Sequence, residues 1–432
     1  MLGNIYEDRV KFLLSRFRER LWVKPLAVCL LSIVAVFFAK FADDTKLIDI
    51  VPSITSEAIE TLLSIMASSM LVIATLSVAS MVSAYASASR TATPRSFALV
   101  ISDDASQNAL STFVGAFIFS IVALTAVKNN YFQNAGIFIL FVLTVIVFAA
   151  VLFMFVRWVD RIARLGRITS TIDKVESASA KAFSIRKMAP TLCGVSVKSG
   201  KKGKAIYART IGYVQHINIE AINTWAANAE LRVVVAALPG TFTAPDKPIA
   251  YLYSEEGEAE EDNVDCVIES FQIGGDRIFD NDPRFGLIVL SEIASRALSP
   301  AVNDPGTAID VIGTLLRLFS QWNEPVDSNK VKDNCYKNVE VPEILIEDMF
   351  DDAFTPIARD GAGLVEVSIR LQKALGSLAS LKDSNGHESH STQMKESAEY
   401  YSRLALKRSK LAMDIEEDFL AVEKAAKFNS AD

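Results

Sequence analysis

Long uncharged runs and short mixed ones divide this chain sharply. Thr61 to Ser89, Ala105 to Val127 and Asn129 to Val156 carry almost no charge and are predominantly apolar. A helix crosses the hydrocarbon core of a bilayer with about 20 such residues. Each run therefore predicts a membrane span. A shorter apolar run lies between Lys24 and Lys40, containing Cys29, Ile33 and Phe37. It spans if both lysines reach toward the interface, so that Leu21 to Ala42 forms the helix. A cleaved signal peptide is the rival reading. The long polar stretch before the run, and an exit (Phe38-Ala39-Lys40-Phe41) without the small-residue cleavage pattern, favour a span.

Basic residues give the orientation. Arg9, Lys11, Arg16, Arg18, Arg20 and Lys24 precede the first span, and Arg157, Arg161, Arg164 and Arg167 follow the fourth. Asp43, Asp44, Asp49, Glu57 and Glu60 dominate the first loop, Arg90 and Arg95 stand in the second, and the third has only Lys128. Positive charge gathers on the cytoplasmic side of a membrane. The expectation is a bacterial inner-membrane protein with both termini in the cytoplasm. Arg157, Arg161 and Arg164 share a helical face suited to anionic headgroups.

The spans differ in kind. On the second, Ser64, Ser68 and Thr75 share a narrow face, while Ser69, Ser77, Ser80, Ser83 and Ser87 gather on a broader opposite one. Small hydroxyl residues serve tight helix packing or line a water-filled pore within an oligomer. The five serines are candidate pore-lining residues. The third span carries Gly115, a predicted point of close approach, and the fourth is bulky all round. Spans two to four lack Asp, Glu, Lys, Arg and His, which argues against a proton-coupled carrier.

After the fourth span the texture changes. A helix is expected to continue from Arg157 to about Ser184 on the stripe Ile162, Leu165, Ile168, Ile172, Val175. Beyond Pro190, Cys193–Val197, Ile211–Val214, Leu231–Ala236 and Ile249–Tyr253 read as strands, with a helix over Ile219–Ala229. The fold class is therefore a membrane α-helical domain with four transmembrane helices, followed by a cytoplasmic α+β domain. The predicted divisions are 1–160 (membrane), 161–189 (juxtamembrane helix), 190–272 (β-rich), 273–381 (helical) and 382–432 (linker and C-terminal helix). Within the helical part, Val341 to Ala358 and Gly361 to Ser380 read as helices. Lys382 to Ser397 reads as a linker, and Tyr400 to Phe428 as a final helix.

Polar groups are densest between Gly274 and Asp310. Asp282-Pro283 and Asp304-Pro305 each place a capping carboxylate before a first-turn proline. Two helices are predicted from them, Pro283 to Ala297 and Pro305 to Ser320. Glu292 and Arg296, one turn apart, are expected to pair. Arg277, Asp282, Arg296, Asn303, Asp304 and Thr307 then form either a capped helix hairpin or a contact for a small anion or a neighbouring subunit.

Composition narrows the chemistry. Half of the 432 residues are hydrophobic and the net charge is −7, with a mean hydropathy of +0.27. The negative balance argues against nucleic acid as a partner. Four scattered cysteines and three histidines form no metal-site or redox spacing. His387 and His390 stand alone in the linker, so no metal is expected. No phosphate loop, dinucleotide fingerprint, nucleophile elbow or zinc-protease motif occurs. Neither catalytic residues nor cofactors are predicted. The lipid bilayer and further copies of the chain are the expected partners.

The signatures Thr93-Pro94-Arg95, Gly212-Tyr213-Val214 and Arg296-Ala-Leu-Ser-Pro-Ala-Val-Asn-Asp-Pro-Gly-Thr-Ala308 resemble a family of predicted bacterial membrane proteins of unknown function. The resemblance runs to about Leu381. It implies four spans and a cytoplasmic domain, and supplies no activity. Gly306 stands where that family commonly has a bulkier residue. Function is accordingly expected to be either an oligomeric channel or passive pathway gated by the cytoplasmic domain, or a membrane-anchored signalling or scaffold protein.

Overall fold

A computed structural model describes residues 22–41, 43, 52, 54–101, 104–164, 167–197, 203–254, 264–326, 335–381 and 388–427. They divide into two compact units. The membrane unit takes in the described residues up to Arg90, and Ser96–Thr171. The α+β unit takes in Thr91–Arg95 and the described residues from Ile172 onward.

Four helices of the membrane unit are long and apolar enough to cross a bilayer. They are α1 (Val23–Phe41), α2 (Ser56–Thr91), α4 (Asp104–Lys128) and α5 (Asn134–Arg164), with the short α3 (Phe97–Ile101) between the second and third. The second begins five residues earlier than its uncharged run. The fourth begins five residues later than expected. Asn129 to Gln133 form a turn instead, in which Asn130 takes a left-handed backbone (φ 51°). Asn tolerates that conformation better than most residues.

Inside the bundle, Gly115 of α4 lies against Val28 of α1, with no room for a Cβ. The predicted close approach is there. Ile59, Leu63, Phe119, Ala123, Val127 and Leu140 form one apolar cluster; Met70, Ala74, Phe113, Val151 and Trp158 form another. Asp43 locks one end. Its carboxylate accepts from the backbone N–H of Gln133 (2.9 Å) and Gly136 (2.6 Å) at the start of α5, and pairs with Lys40 at 3.2 Å. An acid at a helix start satisfies donors that the helix leaves open.

The α+β unit starts on α6 (Ile168–Met188). The predicted unbroken helix from the fourth span is two helices, with the non-helical Arg167 between α5 and α6. Gly166, a weak helix former, stands in that interval of the sequence. Strands β1 (Gly194–Ser196), β2 (Lys204–Tyr207), β4 (Arg232–Val235), β6 (Pro248–Tyr253) and β8 (Tyr336–Val341) build a mixed sheet in the order β1-β8-β4-β6-β2. A second, antiparallel sheet runs β5 (Phe242–Thr243), β3 (Gly212–Ile217), β7 (Phe271–Gly274). Helix α7 (Ile219–Asn228) is capped by Asn218, which accepts from Ala221 N–H at 3.0 Å. Ile222, Val233, Val235, Ile249, Leu252, Val339 and Val341 share the core of this part.

Strand β8 corrects the sequence reading, which began a helix at Val341. Val339 and Val341 are fully buried, and Pro342 stops the ladder. The helix that follows is α11 (Ile346–Asp360), preceded by α8 (Asp265–Glu269), α9 (Pro283–Ala297) and α10 (Pro305–Asn323). Next come α12 (Val365–Ala379), α13 (Glu388–Ala412) and α14 (Glu416–Ala426). The expected linker is therefore helical from Glu388, whereas residues 382–387, His387 among them, lie outside the described residues. The single C-terminal helix is two, separated at Met413–Ile415. Phe319, Phe350, Phe354 and Tyr401 stack at centroid distances of 4.6 to 5.8 Å, joining α10, α11 and α13.

Helix α6 packs on α9 and α10. Arg317 grips Glu176 with two bonds of 2.6 Å. Lys187 donates to the carbonyls of Gln321 and Glu324 at the end of α10. Gly286 of α9 meets Ser179 of α6 so closely that a Cβ would overlap its hydroxyl. Gly286→Ala is expected to destabilise the chain by about 1–3 kcal/mol, the usual cost of overpacking. Adding Ser179→Ala should restore part of that loss, as thermal unfolding of the detergent-solubilised protein would show.

Candidate functional site

The start of α9 is the most strongly built polar centre among the described residues. Asp282 is the cap that Asp-Pro spacing predicts, accepting from Phe285 N–H at 3.2 Å. It is only 3% exposed. Arg277 holds it with a two-bond grip, Nε to Oδ2 at 2.7 Å and Nη2 to Oδ1 at 3.0 Å. Gly240, at φ +94°, passes so near that a Cβ would collide with the Asp282 carboxylate. The left-handed backbone and the missing side chain are both needed there.

A third group completes the centre. Arg186, near the end of α6, is 3% exposed. Its Nη2 donates to the Asn281 carbonyl at 3.2 Å, and its Nη1 has no hydrogen-bond partner among the described residues. Burial lowers its pKa to about 10, and the nearby Asp282 charge opposes that fall. Burial likewise raises the Asp282 carboxyl, opposed by Arg277 and Arg186. Next in line, Arg284 binds Asp352 and Asp348 at 2.6 Å each. Burial raises Asp352 too, against the pull of Arg284. Buried charge in this amount is costly unless every member is matched.

Farther along α9, Glu292 faces the Thr91–Arg95 segment. Thr93 Oγ1 donates to Glu292 Oε2 at 2.9 Å, and Arg95 Nη1 pairs with Oε1. Thr93 Oγ1 also accepts from Arg95 N–H at 3.3 Å. The expected Glu292–Arg296 pair is thus replaced. Both carboxylate oxygens are engaged elsewhere, and Arg296 is exposed. At the start of α10, Asp304 caps as predicted. Its Oδ1 accepts from Thr307 N–H at 3.1 Å and its Oδ2 from Thr307 Oγ1 at 2.6 Å. Those bonds lower its pKa. Asn303, exposed, turns the chain at φ +50°.

The six predicted contact residues therefore part company. Arg277 and Asp282 satisfy each other inside the fold, Asp304 and Thr307 satisfy each other at a helix start, and Arg296 and Asn303 face outward. Sequence reasoning missed Arg186 and Arg284. Neither lies in the dense Gly274–Asp310 pattern as a capping or paired residue, and only the tertiary fold brings Arg186 to Asp282.

On α2 the inward seam is Ile59, Leu63, Met66, Met70, Ala74, Ser77, Met81, Tyr85 and Ala88, a repeat of three and four residues. Ser77 is fully buried there, and its hydroxyl has no partner among the described residues. Ser69, Ser83 and Ser87 are exposed and Ser80 is half-buried. The five candidate pore-lining serines are thus split, one in the seam and four off it.

Residues 18–377 match the family described as Predicted membrane protein (DUF2254). The chain belongs to this family. Uncharacterized proteins Rv1290c of Mycobacterium tuberculosis and Mb1321c of Mycobacterium bovis are each 31% identical to the chain over 104 residues. That stretch is 23% of the chain and 20% of each relative. No solved structure matches.

Asp282→Ala is expected to cost about 3–5 kcal/mol, because it strands the partly buried Arg277 guanidinium and removes the negative charge beside the buried Arg186. Asp304→Ala removes an exposed cap alone and should cost about 1 kcal/mol. Chemical unfolding of the two variants side by side checks the difference.

Proposed function

We propose that this membrane protein forms a homo-oligomeric passive pathway along the hydroxyl-bearing face of α2, in the bacterial inner membrane, with both termini and the α+β unit in the cytoplasm. The observation that carries the reading is the state of the α2 hydroxyls. Ser68 and Thr75 donate to carbonyls one turn back, at 2.8 Å each. Ser69, Ser80 and Ser83 make no such bond among the described residues, and sit off the packed seam. A hydroxyl without a partner is costly in hydrocarbon. It is served by water in a pore or by a neighbouring chain. The absence of charged side chains from Thr61 to Ser89 suits a passive route rather than an ion-coupled carrier.

The α+β unit supplies the gating element in this reading. Thr93 and Arg95 follow directly on α2 in sequence and are held by Glu292. A change at α9 would reach the end of α2 through three residues.

A second reading keeps a binding role for the α+β unit, as a signalling or scaffold protein. Arg296 and Asn303, exposed around the α9–α10 corner, favour it. They would meet a small anion or a protein partner.

The pathway is tested with Ser69→Cys, Ser80→Cys and Val78→Cys in a chain whose four cysteines are replaced. Val78 lies on the opposite side of α2. In lipid vesicles, a water-soluble thiol reagent should modify the two serine positions and block ion flux, and should leave Val78→Cys untouched. Vesicles that hold an oligomer yet show neither flux nor labelling would end the proposal.

A further inference from the structure

A groove of about 300 Å³ opens in the membrane unit where α2 begins and α4 ends. Consecutive spans run in opposite directions, so these two ends lie at the same membrane face. Glu60, Thr61, Ser64 and Ile65 of α2 line it, with Leu124 and Lys128 of α4. Its neighbours Ile59, Leu63, Ala123 and Val127 join the two helices in one apolar cluster, which fixes the groove walls.

The lining is graded. An ammonium and a carboxylate stand at its outer end, hydroxyls follow, and Ile65 and Leu124 lie one helical turn deeper. Helix ends account for each charge separately, since acids suit a helix start and bases a helix end. They do not account for a groove between the two. Glu60 and Lys128 make no ion pair with each other or with another described residue. Ser64 is exposed, and its hydroxyl donates to no described residue.

We propose that this groove binds one phospholipid whose headgroup carries both a phosphate and a primary ammonium. Lys128 takes the phosphate, and Glu60 takes the ammonium through charge-assisted hydrogen bonds. Ser64 donates to a glycerol ester carbonyl, and the acyl chain lies on Ile65 and Leu124. An anionic phosphatidylglycerol headgroup offers Glu60 only neutral hydroxyl donors and no positive charge. A quaternary choline lacks the N–H donors.

Native mass spectrometry of the full chain in detergent tests this, with phosphatidylethanolamine, phosphatidylcholine and phosphatidylglycerol added singly at equal concentration. The wild type should retain phosphatidylethanolamine about two- to five-fold better than the other two, the advantage an exposed ion pair supplies. Glu60→Gln should abolish the preference for phosphatidylethanolamine over phosphatidylglycerol. Lys128→Gln should weaken both. Soluble phosphoethanolamine should compete poorly, since it lacks the acyl chain. Equal retention of all three lipids by the wild type overturns the proposal without any variant. So does a preference that survives both substitutions. Full competition by phosphoethanolamine would overturn the lipid as the source of the headgroup.

Discussion

Moving a peptide group or a charge from water into hydrocarbon is costly unless another group replaces the lost hydrogen bond, and the membrane unit is arranged around that penalty. Backbone groups are satisfied within four long helices. Hydroxyls at Ser68, Thr75, Ser111, Ser120 and Thr144 turn back onto their own helix. Asp43, the one buried acid among the described residues of this unit, has two backbone donors and a lysine. Against that background, Ser69, Ser80 and Ser83 stand out. Among the described residues their hydroxyls make no bond, and they sit off the packed seam, Ser69 and Ser83 exposed and Ser80 half-buried.

The same penalty shapes the α+β unit. Asp282 and Arg186 are buried almost completely, and the Asp282 carboxylate faces the guanidinium groups of both Arg277 and Arg186. Asp282 does three jobs with one carboxylate: it caps α9, holds Arg277 and opposes the fall that burial imposes on the Arg186 pKa. Gly240 is without a side chain so that the strand-to-turn backbone can approach this carboxylate. Helix α9 is therefore fixed at its start, pressed on α6 at Gly286, and engaged with Thr93 and Arg95 at Glu292.

Much of this was legible in sequence. The four spans follow from length and absence of charge, the two caps from Asp-Pro spacing, and the close approach at Gly115 from a small residue amid bulky ones. Three features were not. Strand β8 hides because its alternation is only Val339 and Val341 long, with Lys337 standing where the same face would need a third apolar residue, and only its place between β1 and β4 explains the buried Val339 and Val341. The break before Ile168 hides because the apolar stripe runs straight through it. The Asp282 centre hides because Arg186 stands 96 positions earlier in the chain, in a helix whose local pattern looks like an ordinary basic end. Local patterns carry helix starts and spans well; they carry nothing about which distant arginine meets a buried acid.

The central claim is that the serine face of α2 is completed by other copies of the chain around water. Imaging the full chain in lipid nanodiscs tests this most directly. The account predicts a closed ring of subunits with Ser69, Ser80 and Ser83 toward a continuous aqueous path on the symmetry axis. A single copy with that face against lipid, or an oligomer in which the serines are packed dry between helices, would contradict it.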